Sequence, residues 1–174
     1  MIVLAAVLAL AGGDDPSIVP IPIGPGPRFR PSAIVRSGEP VGPFTCGPPG
    51  KSFRVHIELF AERKVIVVPQ GIGVARSGCV YPARTRGRLG VVEVAVGSRL
   101  TLGDVFRIWG RRLGERTLLS FKAGSPVRAY VAGKRFRGPV GEVPLKPGAQ
   151  IVVELGPYIP PHKTFLFPPR EENK

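Results

Sequence analysis

The sequence predicts an α+β fold in which a mostly antiparallel sheet wraps a single helix. Glycine and proline number 23 and 21 among 174 residues, so turns are frequent, and the apolar residues fall into short runs that favour strands. One segment has helical periodicity, and further strand-like runs follow it. This order favours a β-grasp-like roll, in which the last strand enters the sheet beside the first. A β-sandwich with one crossover helix is the alternative.

The first strand signal is FRVHIELF at residues 53–60. Apolar residues alternate there with Arg54, His56 and Glu58, which is the pattern of a half-buried strand. AERK then predicts a turn, so residues 53–69 are expected to form a hairpin. The later strand-like runs are a short one near residues 79–81, LGVVEVAV at 89–96, TLLSF at 117–121, VRAYVAG at 127–133 and QIVVELG at 150–156.

The helix is predicted in TLGDVFRIWGRRLG, residues 101–114. Thr101 can cap its N-terminus, with Asp104 in the capping-box position, and Gly114 is expected to end it. Trp109 lies on the apolar face, so we expect it in the core; a ligand pocket is the alternative. The apolar residues at helical spacing are Leu102, Val105, Phe106, Trp109 and Leu113.

Composition divides the chain into four parts. Residues 1–15 contain an apolar run of signal-peptide length that is too short to span a bilayer, so we expect an exported or membrane-anchored protein; a frayed apolar tail is the alternative. Residues 16–50 are rich in proline and glycine and are expected to form an extended spacer. Residues 51–157 are the predicted folded domain, and residues 158–174 a proline-rich tail.

Charge and motifs limit the function. Lys and Arg number 25 against 12 Asp and Glu, for a net charge of +13, which favours anionic partners. The basic residues form no dense tract, so an arginine excess without function stays open. GIGVARSG lacks the spacing and context of a dinucleotide fingerprint, and no serine or cysteine lies in a nucleophile-elbow pattern. We therefore expect no enzymatic activity.

Several motifs resemble a known family. PQGIGV (69–74), Cys79, Tyr81, Gly90, TLGDVFRIWG (101–110), YVAGK (130–134) and FLFP (165–168) are similar to PAGIGI, a cysteine, YWLHTHD, GIIHVE, TLGQFFDIWG, VYVNGK and FTFP. These motifs, after a histidine-rich HIHAHL strand, belong to a family of uncharacterised bacterial proteins that are usually predicted to be exported or membrane-anchored. The resemblance covers residues 53–169, about two thirds of the chain.

The resemblance also directs attention to the family's histidine positions. This chain has Ser52, Arg54, Arg84, Arg86 and Glu93 there, and only His56 is kept. Imidazoles suit transition metals, whereas guanidinium cannot ligate a metal, so we expect neither a metal nor a cofactor.

An extended segment would place Arg84, Arg86 and Arg88 in one row. We expect a charge cluster there that acts as a structural network or an anion site, with a residual metal site through His56, Glu58 and Glu93 as a third interpretation. The members of the predicted cluster are Arg54, His56, Glu58, Arg84, Arg86 and Glu93.

The two cysteines, Cys46 and Cys79, match cysteines of the family pattern. An even cysteine count in an exported chain predicts a disulfide between them, and two buried free thiols are the alternative.

Two classes of function follow. The first is a non-catalytic, envelope-associated extracytoplasmic domain, either binding or structural, whose basic face takes an anionic ligand or an envelope protein. Its N-terminus could contact the membrane. The second class, less favoured, is a nucleic-acid-binding protein; a metal-binding protein with a degenerate histidine site is a further alternative.

Overall fold

A computed structural model describes residues 26–87 and 89–169. The described residues form two β-sheets, one α-helix and one short 3-10 helix, which confirms a strand-rich α+β class. The predicted apolar segment at residues 1–15 and Arg88 lie outside the described residues. In the described ranges, no helix is both long and apolar enough to cross a membrane.

The strands and helices follow one another along the chain with connections of different length. They are β1 (Arg28–Phe29), β2 (Ser52–Ala61), β3 (Lys64–Ile66), β4 (Ala83–Thr85), β5 (Val91–Ala95), α1 (Leu102–Trp109), β6 (Leu113–Gly114), β7 (Thr117–Leu118), β8 (Phe121–Lys122), β9 (Arg128–Val131), β10 (Lys134–Arg135), a 3-10 helix (Val140–Glu142) and β11 (Gln150–Leu155). The longest connections lie between β1 and β2 and between β3 and β4.

The main sheet is built around β2. Its strand order is β1-β3-β2-β11-β9-β10. β5 pairs with the N-terminal half of β2, and β4 pairs with β5. β11 runs parallel to β2 along the opposite edge, so the final strand does lie beside the first long strand. β1 and β3 are also parallel, and the remaining pairs are antiparallel. Strands β6, β7 and β8 form a separate small sheet.

The predicted hairpin at residues 53–69 is confirmed. β2 and β3 pair antiparallel around Glu62 and Arg63, both of which have positive φ, 47° and 63°. Two successive left-handed residues define the two-residue turn whose twist matches that of the flanking strands.

The helix begins as predicted and ends earlier. The Thr101 N–H donates to Asp104 Oδ2 at 2.9 Å, so the cap is confirmed. The prediction that Gly114 ends the helix is wrong, because Gly110 already adopts the left-handed conformation at φ 72°. The N–H of Arg111 then donates to Phe106 O at 2.9 Å, which is the pattern of a glycine-terminated helix. Gly114 lies in β6 instead.

One face of the main sheet, which we call the helix face, carries the larger core. Val55, Ile57 and Leu59 of β2 point to this face and pack with the apolar side of α1. Trp109 is 1% exposed, which confirms its predicted place in the core. Its indole N–H donates to Ser32 O at 3.4 Å, so the connection between β1 and β2 also contacts the helix.

The opposite face is covered by the C-terminal residues 158–169, which we call the strap. Phe60, Val65, Tyr130 and Val152 form a second apolar cluster on this strap face, and Ile159 of the strap packs against it. The prediction of a half-buried β2 is therefore wrong. Its second face is buried because a segment about a hundred residues further along the chain lies over it.

Candidate functional site

Three arginines and one glutamate meet at the N-terminal end of β2 on the strap face. Glu93 on β5 is the register neighbour of Arg54 on β2 and of Arg84 on β4. Arg84 Nε donates to Glu93 Oε2 at 2.7 Å, and Arg86 Nε lies 3.2 Å from the same oxygen. We call Arg54, Arg84, Arg86 and Glu93 the arginine cluster.

Arg84 differs from its neighbours in burial. Only 7% of the residue is exposed, whereas half of the Arg86 side chain is exposed. The contact with Glu93 occupies Nε of Arg84, and the two terminal guanidinium nitrogens have no acceptor within residues 26–87 and 89–169. Protein does not enclose these two nitrogens. A nearly buried arginine thus keeps two donors available.

Arg84 lines a cavity of about 340 Å³. Arg84, Glu93, Ser52 and Ala95 form the sheet side of the cavity. The other lining residues are Pro43, Phe44, Thr45, Gly47, Pro48, Gly50, Val80, Tyr81 and Pro82. Several of these side chains are apolar, so the walls present both polar and apolar surface to the charged pair.

The outer wall of the cavity is attached to the domain at three points. Cys46 and Cys79 form a disulfide, which confirms the predicted pairing. Gly47 and Val80 exchange two backbone hydrogen bonds of 3.0 and 2.8 Å, and the Tyr81 hydroxyl donates to Glu39 O. The disulfide also indicates an oxidising, extracytoplasmic environment.

His56 and Glu58 lie further along β2 and have different partners. Glu58 Oε2 is 2.7 Å from Nδ1 of His162 in the strap, and 3.9 Å separates Glu58 Oε1 from His56 Nδ1. The six residues of the predicted cluster are therefore divided between two groups, with His56 and Glu58 outside the arginine cluster. His162 did not stand out in the sequence.

Both ring nitrogens of His56 have hydrogen-bond partners, and an aromatic ring stacks on its imidazole. Its Nδ1 lies 2.5 Å from Gln150 Oε1 and its Nε2 lies 2.7 Å from Leu89 O, while Phe165 stacks on its ring. Burial lowers the pKa of His56, against the opposing effects of the Gln150 hydrogen bond and the Glu58 charge. A neutral ring donates only once, so the second contact is satisfied if the amide nitrogen of Gln150 faces it. That nitrogen otherwise has no hydrogen-bond partner.

Arg54 connects the arginine cluster to the strap. Its Nη1 donates to Pro168 O at 2.5 Å, and its guanidinium lies 5.2 Å from the centre of the Phe167 ring. Phe165 and Phe167 thus cover the row of polar side chains on β2. Two phenylalanines in a proline-rich tail were the sequence signal for this cover, because such side chains need an apolar or aromatic surface.

The two groups of polar side chains differ in what they can bind. No three His, Cys, Asp or Glu side chains in the described part of the chain could together hold a metal ion, and Glu93 belongs to the arginine cluster rather than to His56 and Glu58. Fold and site define a disulfide-containing α+β domain with a half-open cavity that Arg84 and Glu93 line. No protein-family model, curated protein or solved structure matches the chain.

Proposed function

We propose that the protein is a non-catalytic extracytoplasmic binding domain whose cavity takes an anionic ligand at Arg84. One observation carries this proposal. The guanidinium of Arg84 is nearly buried and lines the cavity, yet only one of its nitrogens has an acceptor in the described residues. Its two terminal nitrogens are not enclosed by protein, so an anion in the cavity can replace water as their acceptor and form charge-assisted hydrogen bonds.

The local charge supports the same proposal. Arg84 and Arg86 both contact one oxygen of Glu93, and Arg54 is the register neighbour of Glu93 on β2, so three positive charges and one negative charge give the cluster a net charge of +2. An anion that contacts Arg84 reduces this positive charge. Charge-assisted hydrogen bonds from arginine are among the stronger polar contacts in proteins.

The non-catalytic part of the proposal rests on the histidines. His56 has both ring nitrogens in hydrogen bonds and Phe165 stacked on its ring, so it is not placed to take a proton from a substrate. His162 contacts Glu58. Neither histidine lines the cavity.

The nucleic-acid alternative finds less support. Binding of single strands depends on aromatic side chains that stack on bases. Phe60 and Tyr130 are buried, and Phe53 packs against the larger core.

A secretion assay separates the extracytoplasmic class from the nucleic-acid-binding class. A reporter enzyme fused to the C-terminus of the intact chain should be active outside the cytoplasm. Activity confined to the cytoplasm would contradict the extracytoplasmic proposal.

We also propose that the finer fold is a β-grasp-like roll and that the chain is a histidine-depleted member of the family it resembles. Support for the roll comes from the parallel pairing of β11 with β2 and from the helix on one face of the sheet. Support for the family comes from the disulfide between the two cysteines that match its pattern.

Calorimetric titration of the oxidised protein with benzoate, acetate, phosphate and sulfate tests the proposed function. At least one of these anions should bind, and the change of Arg84 to Lys should weaken its binding, because lysine keeps the charge and loses the fork. Arg99→Lys is the matched control, since Arg99 is exposed and does not line the cavity. Absence of binding by all four anions would contradict the proposal.

A further inference from the structure

We infer that the cavity selects a singly charged carboxylate that carries a compact apolar body; this inference rests on the proposed function. Three properties of the cavity lead to it: the donor geometry of Arg84, the charges in the cavity lining, and the size and apolar side chains of the walls.

The donor geometry favours a planar two-oxygen acceptor. Nε of Arg84 is occupied by Glu93, which leaves the two terminal nitrogens. These nitrogens lie in one plane with a spacing that matches the two oxygens of a carboxylate, so two parallel hydrogen bonds can form. A carboxylate can therefore dock end-on beside Glu93 without displacing it.

The charges in the cavity lining favour one negative charge over two. Among the described lining residues, Arg84 is the one cation and Glu93 the one carboxylate. A monocarboxylate adds one negative charge beside Glu93, whereas a doubly charged phosphate adds two, and like charges at short range in a partly buried site repel.

The walls favour an apolar body on the ligand. Phe44, Pro48, Pro82 and Ala95 line part of the cavity, and contact with them stabilises an apolar ligand because it removes apolar surface from water. The cavity volume of about 340 Å³ is at the small end of ligand sites, which span about 300–1,000 Å³. A single aromatic ring or a short branched chain fits this volume, whereas acetate leaves the walls uncovered.

A second hollow, of about 680 Å³ beside α1, lacks these properties. Two of its three arginines already have partners, since Arg107 contacts Asp104 at 3.3 Å and Arg111 donates to Ser32 O at 3.0 Å. The third, Arg112, is exposed rather than nearly buried. Of the two hollows, the cavity at Arg84 is the one that presents a nearly buried guanidinium fork to a ligand.

Benzoate is the probe that tests the inference, with benzamide as its neutral counterpart of the same shape. Calorimetry of the oxidised full-length protein should give a dissociation constant of about 1 mM or tighter for benzoate, as expected for a ligand of this size. Benzamide, acetate and phosphate should each bind at least about tenfold more weakly. Arg84→Lys should weaken benzoate at least about tenfold, and Arg99→Lys should leave it unchanged.

Nuclear Overhauser contacts in the unmodified protein provide a test that does not depend on the folding of any variant. The ring protons of bound benzoate should contact the side chains of Phe44 and Pro82, which line the cavity and are partly exposed. Contacts to other residues alone, or equal affinity for benzoate and benzamide, would overturn the inference. If phosphate binds through Arg84 and benzoate does not, the proposed anion-binding function stands and the carboxylate inference fails. If no anion binds, both fail.

Discussion

The ring of Phe165 stacks on the imidazole of His56, with centroids 3.5 Å apart and planes 10° from parallel. This contact joins the strap to the middle of β2. Together with the contacts His162–Glu58 and Arg54–Pro168, it closes the strap face over a row of polar side chains. Apart from a backbone hydrogen bond from Ile159 to Glu154, these side chains provide the polar anchors of the strap.

The stacking contact predicts that the strap stabilises the domain. Phe165→Ala should lower the free energy of unfolding by about 1–2 kcal/mol, less than a fully buried phenylalanine, because the ring is half-buried. Leu166→Ala is the control, since Leu166 is 58% exposed, and surface changes usually stay within about 0.5 kcal/mol. Urea unfolding measures both. Equal effects of the two changes would contradict a stabilising role for the strap.

His56 predicts a pH dependence of stability. Burial lowers its pKa below 6.5 in the folded state, so below about pH 6.5 the unfolded chain binds more protons than the folded one. The free energy of unfolding should therefore fall as the pH drops from 6.5 towards the folded pKa, by at most about 1.4 kcal/mol per pH unit.

The comparison of wild type with His56→Gln isolates this contribution, since the groups around position 56 are the same in both proteins. These groups are Gln150, Leu89 O, Glu58 and His162. The wild type should lose more stability on acidification than the variant. The opposite order would mean that His56 is protonated more readily in the folded state. Burial raises the pKa of Glu154, which acts in the reverse direction at lower pH and is common to both proteins.

Trp109 is the single tryptophan of the chain, so its fluorescence reports its own surroundings. Because it is almost fully buried between helix and sheet, its emission should be blue-shifted in the folded protein and move to longer wavelength in urea. Trp109→Ala should cost about 3–5 kcal/mol of stability. A water-like emission maximum in the native protein would contradict the core assignment.

The disulfide should matter for both stability and ligand binding. Replacing Cys46 and Cys79 by serine should cost about 3–4 kcal/mol, as expected for a loop with a sequence separation of 33. Because the bond holds the outer wall of the cavity, affinity for benzoate should also fall at temperatures where the variant is still folded. Val105→Ala, in the core, lowers stability elsewhere and should keep the affinity. Equal affinity of the serine variant and the wild type for benzoate would contradict a role of the disulfide-held wall in ligand binding.

The sequence predicted local helices and strands well, but it predicted poorly which distant segments pack over them. Alternation on β2 and capping at Thr101 were readable because both are local patterns. The end of the helix was not, since Gly110 and Gly114 are equally able to adopt a left-handed conformation and only packing selects one. Likewise, nothing local to Glu58 indicates that His162 meets it, because that contact depends on the path of the strap.

The arginine cluster was only partly predictable from the sequence. Alternation places Arg84 and Arg86 on one side of an extended segment, and opposite charge makes Glu93 a natural partner. The register that sets Arg54, Glu93 and Arg84 side by side comes from how three strands pair, and the cavity above them comes from residues 43–50. Neither follows from a periodic pattern.

The central claim, that Arg84 presents its terminal nitrogens to an anionic ligand, is tested most directly by nuclear magnetic resonance of the arginine side chains. In protein labelled with ¹⁵N, the guanidinium signals of Arg84, assigned by their loss in Arg84→Lys, should shift on titration with benzoate. Rotation about the Nε–Cζ bond of Arg84 should slow as two hydrogen bonds form, while the signals of Arg99 stay in place. Unchanged Arg84 signals at benzoate concentrations that saturate binding would contradict the account.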